Sequence, residues 1–170
     1  QEVTITVVNV NDNSPVISSG SGFSVDENVV SIGNITATDL DGDALIYSVS
    51  GSELEISNTG ALTFADSNGA DFETQSSYTA IVTVTDGIFN ADQSISVTVQ
   101  DTNDNDPVFS SSSTFTPSEN QTIIGSLSAS DDDANSTLVY SISGGNLEDS
   151  GITVDSSTGQ ITKSSDLDYE

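Results

Sequence analysis

The chain has no cysteine, histidine, tryptophan or methionine, and Lys163 is its only basic residue. The lack of cysteine excludes disulfides, and the lack of both histidine and cysteine removes zinc sites, nucleophilic thiols and Ser/His/Asp triads. With 27 acidic residues the net charge is −26, which excludes nucleic acid and anionic membranes as natural partners. No signal peptide or membrane-length apolar run is evident, so we expect any export signal to lie outside these 170 residues.

Oxygen-rich side chains are abundant instead, and they are most concentrated at residues 101–107. This segment reads Asp-Thr-Asn-Asp-Asn-Asp-Pro and places three Asp and two Asn within six residues. Such dense carboxylates repel one another unless a cation lies among them, and Ca²⁺ takes six to eight oxygen ligands of these types. Because Pro107 has no N–H and a fixed φ, it suits the first residue of a strand. The segment therefore predicts a cation-binding linker that leads into a new domain.

The same signature occurs at residues 9–15, and the two prolines are 92 residues apart. Glu27-Asn28 recurs as Glu119-Asn120 at that spacing, and Asp39 and Asp41 recur as Asp131 and Asp133. A repeat of this length indicates two domains in series and not one large domain. The predicted organisation is the last strand of a preceding repeat at 1–8, a linker at 9–15, a complete repeat at 14–105, a second linker at 101–107 and a partial repeat at 107–170.

Alternation of apolar and polar residues predicts short strands throughout, with no helical periodicity of any length. Asp, Gly, Asn and Ser clusters between them are typical of turns. About seven such strands in a repeat favour an all-β, antiparallel sandwich. The strands predicted for the complete repeat are Val16–Ile17 continuing at Phe23–Val25, Ile32–Thr38, Leu45–Val49, Leu54–Ser57, Ala61–Phe64, Ser77–Thr85 and Gln93–Gln100.

The linker motif, the Glu27-Asn28 pair, the Asp-x-Glu of residues 71–73 and the two Asp-x-Asp pairs together resemble tandem cadherin repeats. That resemblance covers essentially the whole chain and implies seven-stranded Greek-key β-sandwiches that typically bind three Ca²⁺ ions between successive repeats. The ligands implied for the central junction are Glu27, Asp71, Glu73, Asp101, the Thr102 backbone carbonyl, Asn103, Asp104, Asn105, Asp131 and Asp133.

The resemblance implies less at the two outer junctions. At the first linker Asn9 replaces the leading Asp, so we expect a single ion there. Its implied ligands are Asn11, Asn13, Asp39, Asp41 and Asp86, with Asp12 as a further candidate in the same linker. At the next junction the implied ligands are Glu119, Asp168 and Glu170. The absence of tryptophan removes the residue that vertebrate classical cadherins exchange in adhesion, and bacterial surface proteins also carry cadherin-like repeats.

An EF-hand loop and a glycosidase site fit the acidic clusters less well. Residues 39–43 look like the start of an EF-hand loop, but Ala44 replaces the required glycine and Ser50 the bidentate Glu. A two-carboxylate glycosidase is allowed by residue type, yet the repeat already accounts for every carboxylate cluster. We therefore expect no enzyme.

We expect an extracellular or cell-surface module that binds Ca²⁺, is rigidified by it and supports adhesion. Its expected partners are adjacent repeats of the same chain and a like or unlike surface protein. The alternative is a calcium-dependent module that binds polysaccharide. Phe89, in the loop before the last strand, is the best candidate for the exposed aromatic side chain that this alternative needs.

Overall fold

The structure, a computed structural model, describes residues 1–144 and 151–168, and within these ranges it contains strands and no helix. The described residues accordingly include no helix that could cross a membrane. The chain divides into two compact units, Gln1–Thr102 and Asn103–Glu170. The division falls inside the segment 101–107, which the sequence predicts to be a linker.

The first unit contains nine strands in three sheets. β2, β9, β8 and β5 form a four-stranded sheet in that order, β3, β7 and β6 form a three-stranded sheet, and β1 pairs with β4. The strands are β1 Val16–Ile17, β2 Gly22–Asp26, β3 Ser31–Asn34, β4 Ala37–Thr38, β5 Ile46–Val49, β6 Leu54–Ile56, β7 Ala61–Phe64, β8 Ser77–Thr85 and β9 Asn90–Gln100. If β1 with β2, and β3 with β4, are each taken as one interrupted strand, the count is the predicted seven.

The core lies between the two larger sheets, where the alternating side chains of β7, β8 and β9 meet. Leu62, Val82, Val84 and Val97 are completely buried. Each comes from a strand whose burial alternates with a period of two, as the sequence pattern predicts. This apolar core fixes the strand ends, and it is at these ends that the acidic residues lie.

One pairing departs from the predicted antiparallel sandwich, because β2 runs parallel to β9. Phe23 lies opposite Val97 and Val25 opposite Val99 in this register. Alternation predicts which face of a strand is buried but carries no information on its direction. The two strands are also separated by almost the whole repeat, so no hairpin turn sets their orientation.

Residues 1–8, predicted to be the last strand of a preceding repeat, belong to no sheet in this structure. Val3, Ile5 and Val7 are all more than three-quarters exposed. A strand is held by hydrogen bonds to a neighbour and by burial of one face, and the described part of the chain offers this segment neither. Its alternating pattern alone is not sufficient.

The second unit repeats the β1–β4 pairing and the three-stranded sheet of the first, whereas residues 114–118 and 139–142, which match β2 and β5, form no strand. β10 pairs with β12, and β11, β14 and β13 form a three-stranded sheet in that order. Val16 lies opposite Thr38 in the first unit, and Val108 lies opposite Ser130 in the second, each 92 residues later. The strands are β10 Val108–Phe109, β11 Ile123–Ser126, β12 Ala129–Ser130, β13 Ile152–Val154 and β14 Gln160–Lys163.

A glycine turn is required at the same place in both units. Gly60 and Gly159 have φ of 85° and 68°, and each accepts a backbone hydrogen bond of 2.8 Å, from Ile35 and Leu127 respectively. A Cβ on Gly60 would lie 2.1 Å from the Ile35 carbonyl oxygen, and one on Gly159 would lie 2.5 Å from that of Leu127. Only glycine combines this left-handed conformation with so close an approach.

Candidate metal centres

Glu27 is the most buried acidic residue of the first unit, with 3% of its surface exposed. It follows β2, and the next residue, Asn28, has a φ of 60°. That left-handed residue turns the backbone so that the Glu27 N–H donates to the Gln100 carbonyl at 3.0 Å and the Asn28 N–H donates to the Ala70 carbonyl at 2.8 Å. Glu27 is thus fixed between the end of β9 and the loop at residues 70–73.

The Glu27 carboxylate accepts hydrogen bonds from both of these segments. The Phe72 N–H donates to Oε2 at 2.8 Å, and the Thr102 N–H donates to Oε1 at 2.8 Å. The Thr102 hydroxyl also donates to Oε1, at 3.3 Å. One side chain therefore joins the loop that carries Glu73 to the beginning of the second linker.

Around this side chain the structure brings three predicted ligands together. One carboxylate oxygen each from Glu27, Glu73 and Asp101 lies within 4.8 Å of the others. The only basic residue of the chain, Lys163, belongs to the other unit. Three carboxylates at such distances disfavour one another's charge unless a cation is among them, and the donor set suits a hard cation such as Ca²⁺.

Asp71, a predicted ligand, has both carboxylate oxygens hydrogen-bonded to Thr74. Its carboxylate accepts hydrogen bonds at 3.0 Å from the Thr74 N–H and from the Thr74 hydroxyl. These two hydrogen bonds hold the pKa of Asp71 below its ordinary value, and the bond from the Thr74 backbone has the larger effect. Asp71 therefore orders the loop that carries Glu73, and it is not one of the three grouped acids.

The first linker is anchored on Asp41. Its Oδ2 accepts the N–H groups of Asp12 at 3.0 Å and Asn13 at 2.8 Å, and its Oδ1 accepts the Asn13 side-chain amide at 2.8 Å. The hydrogen bond from the Asn13 backbone is the largest influence on the pKa of Asp41, which lies below its ordinary value. Asp41 is thereby held ionised against the linker.

Three other predicted ligands of this linker carry buried oxygens that accept no hydrogen bond from the described residues. They are Oδ1 of Asn11, Oδ2 of Asp39 and Oδ2 of Asp86. The second oxygen of Asp39 accepts the N–H groups of Asp41 and Gly42, at 2.9 and 3.1 Å. A buried oxygen without a donor is costly, and a cation among these atoms would remove the cost.

Asp86 shows how the loop between β8 and β9 presents its carboxylate. Its Oδ1 accepts the N–H groups of Ile88 and Phe89, both at 2.7 Å. Burial raises the pKa of Asp86, but these two amides and the nearby side chain of Asn11 together lower it by more, so the pKa is below its ordinary value. The residue therefore remains ionised while its other oxygen stays available.

The second unit repeats the Asp41 arrangement at Asp133, which is 5% exposed. The Asn105 side-chain amide donates to its Oδ1 at 2.9 Å, and the Asn105 N–H donates to its Oδ2 at 3.2 Å. The Asn105 side chain is the largest influence on the pKa of Asp133, which is lowered. The Asp133 N–H donates in turn to Asp131 at 3.0 Å. In the first unit the Asp41 N–H donates to Asp39 in the same way.

The remaining predicted ligands that the structure describes are exposed side chains. Asn103 and Asp104 are exposed, and Asp104 accepts a hydrogen bond of 3.0 Å from the Asn105 side chain. At the next junction Glu119 and Asp168 are exposed, unlike the buried Glu27. Glu170 lies outside the described residues.

Asp155 is a carboxylate whose hydrogen bonds come from its own turn, between β13 and β14. It accepts the N–H and hydroxyl of Thr158, both at 2.8 Å, and the N–H and hydroxyl of Ser157, at 3.1 and 3.0 Å. These bonds, led by that from the Thr158 backbone, lower the pKa of Asp155 to about 2. The sequence motifs assign this residue no role, although its position before Ser, Ser and Thr in a turn is a recognisable signal.

Asp155 should make stability depend on pH in a defined window. Its pKa is lower in the folded chain than the ordinary value, so its contribution is present above about pH 4 and is lost as the pH falls towards about 2. We expect Asp155→Asn to lower the urea midpoint of the second unit in EGTA near neutral pH. The NMR resonance of the Gly159 amide would report on the unfolding of that unit. The difference from the unchanged chain should shrink below about pH 4; a constant difference at every pH would contradict the assignment.

No protein-family model matches the chain, and no curated protein matches it in sequence. Solved structures do match. Human protocadherin-24 EC1-2 has a TM-score of 0.73 and 23% identity, over 95% of this chain and 81% of that one. The human desmocollin-1 ectodomain has a TM-score of 0.71 and 27% identity, over 94% of this chain and 35% of that one. Mouse cadherin-23 EC22-24 has a TM-score of 0.70 and 27% identity, over 94% and 56%.

These likenesses show that the chain has the fold of cadherin repeats, which confirms both the resemblance and the predicted all-β class. The chain spans only about a third of the desmocollin-1 ectodomain and just over half of the cadherin-23 fragment.

Proposed function

We propose that the chain is a calcium-binding, adhesion-type module of an extracellular protein, and that bound Ca²⁺ orders its linkers. The observation that carries this proposal is the set of buried oxygens without a donor on Asn11, Asp39 and Asp86. Three separate segments supply these atoms, so their common feature is not a property of one turn. The cadherin-repeat fold and the extracellular neighbours, among them the desmocollin-1 ectodomain, support the same function.

Calcium suits these oxygens better than the other common divalent cations. Carboxylate, amide and backbone oxygens are hard ligands, and the described clusters are irregular and supplied by loops. Mg²⁺ requires a smaller, near-octahedral site and gives up its water reluctantly. When bound, the ion supplies the positive charge that the chain's composition lacks.

Each unit contributes its own ligands in this proposal. At the first linker the ion is held by Asn11, Asp39, Asp41 and Asp86. In the first unit, Glu27, Glu73 and Asp101 form a second group of candidate ligands. In the second unit, Asp131 and Asp133 have the arrangement that Asp39 and Asp41 have in the first.

The polysaccharide alternative gains nothing from its best candidate residue. Phe89 is half-buried, and its backbone carbonyl accepts the Thr85 hydroxyl at 2.8 Å. It therefore does not form an exposed platform on which a sugar ring would stack.

Calorimetric titration of the EGTA-treated chain with CaCl₂ tests the proposed function, and two linker variants provide a matched pair. Asp104 and Asp106 are both exposed and lie two residues apart. The motif makes Asp104 a ligand and Asp106 a variable position before the proline. We expect Asp104→Ala to weaken calcium binding by about tenfold or more and Asp106→Ala to have little effect, because loss of a ligand removes both an oxygen and a charge.

Equal calcium affinities for the two variants would show that the linker is assigned in the wrong register. An unchanged chain that takes up no calcium at millimolar concentration would overturn the proposed function itself.

A further inference from the structure

Asp43 belongs to the acidic cluster of the first linker, although the motifs assign it no role. It follows Gly42, whose φ is 79°, and it precedes β5. The left-handed glycine turns the chain so that Asp41 and Asp43 both face Asp39. One carboxylate oxygen of each of these three residues lies within 4.8 Å of the others, and the Asp43 N–H donates to Oδ1 of Asp39 at 3.4 Å.

A second, independent observation points to a ligand at this position. Oδ2 of Asp43 has essentially no exposed surface and accepts no hydrogen bond from the described residues. The same is true of Asn11 Oδ1, Asp39 Oδ2 and Asp86 Oδ2, so four of these unsatisfied oxygens belong to one end of one unit. A solvated carboxylate in a turn would instead expose its oxygens to water or, like Asp155, fill them with local donors.

The other charged groups near Asp43 make its burial harder to explain without a cation. Asp39 and Asp41 are both acidic, and Asp41 also experiences the negative charge of Asp86. The one basic side chain of the chain, that of Lys163, belongs to the other unit. No basic side chain of the first unit therefore offsets these four carboxylates.

We propose, resting on the calcium-binding function above, that the Asp43 side chain is a fourth carboxylate ligand of the ion at the first linker. With Asp39, Asp41 and Asp86 it surrounds a divalent cation with four negative charges. The number of charged ligands is one of the main determinants of Ca²⁺ affinity in oxygen sites. The first unit therefore holds this ion tightly with its own residues and those of its linker.

The second unit lacks this feature. The residues that match Asp43 at spacings of 92 and 93 are Asn135 and Ser136, and neither is charged. The position that corresponds to Asp43 beside Asp131 and Asp133 therefore carries no carboxylate.

The test is a calcium titration of the whole chain followed by NMR, because backbone amides report on each site separately. Gly42 lies between Asp41 and Asp43, and Gly87 follows Asp86, so their resonances report on the first linker. We expect Asp43→Asn, which keeps the shape but removes the charge, to raise the calcium concentration at half-shift of both signals by about tenfold or more. Asp92→Asn, an exposed residue in β9, is the matched control and should leave both signals unchanged.

The outcomes separate this proposal from the one on which it rests. If Gly42 and Gly87 shift at the same calcium concentration in the unchanged chain and in Asp43→Asn, Asp43 is not a ligand and the calcium-binding function stands. If neither signal responds to calcium in the unchanged chain, both proposals are wrong. A spectrum of Asp43→Asn in EGTA that matches the unchanged chain establishes that the variant is folded.

Discussion

In about 1 mM CaCl₂ the first unit is expected to unfold at a temperature at least 10 °C above its unfolding temperature in EGTA. A ligand that binds only the folded state stabilises it by about 2.7 kcal/mol when its concentration is about 100 times the dissociation constant. For a domain of this size, each kcal/mol raises the unfolding temperature by about 4–8 °C. A single ion at the first linker is therefore enough for the expected shift.

The rise in unfolding temperature should be large because calcium removes two unfavourable contributions to the stability of the folded unit. It gives donor-free oxygens, such as Asp39 Oδ2 and Asp86 Oδ2, a partner, and it offsets the repulsion among neighbouring carboxylates. Calorimetric scans in EGTA, CaCl₂ and MgCl₂ would measure the shift, with KCl added to equal ionic strength, since salt alone screens exposed charges. If KCl reproduces the whole shift, general screening and not a specific site is responsible.

The longer strands could be predicted from the sequence because the first repeat buries one face of each of them. β8, for example, alternates between buried and exposed positions over nine residues, and this spacing is visible in the residue types. The parallel pairing of β2 with β9 was not predictable, since strand direction depends on topology and not on alternation. Residues 1–8 show the converse: a strand pattern does not form a strand without a neighbour.

The candidate sites were partly predictable for a related reason. The motifs led to Glu27, Asp41 and Asp133, whose positions follow from short, repeated segments. They treated alike Asp71, whose carboxylate accepts two hydrogen bonds from Thr74, and Glu73, which joins the acidic group. They also missed Asp43, because its proximity to Asp39 depends on the left-handed turn at Gly42, which the motif does not specify.

Glu27→Ala is expected to destabilise the first unit by about 3 kcal/mol even without calcium. The carboxylate is nearly completely buried and accepts the N–H groups of Phe72 and Thr102. Its removal leaves two donors without partners, each costing about 1–3 kcal/mol where water cannot replace the lost acceptor. It also opens a gap in the contact between the loop at residues 70–73 and the start of the second linker.

Urea unfolding in EGTA measures this loss, and calcium titration of the same variant measures a second effect. Glu27 belongs to the group with Glu73 and Asp101, so the variant should also bind fewer ions at the second linker. Glu55→Ala is the matched control, because Glu55 is exposed in β6, and we expect a change within about 0.5 kcal/mol there. Glu27→Gln separates the two roles, since it restores packing and one acceptor without the charge. A loss below about 1 kcal/mol for Glu27→Ala would mean that water satisfies both amides, and Glu27 would then act through charge alone.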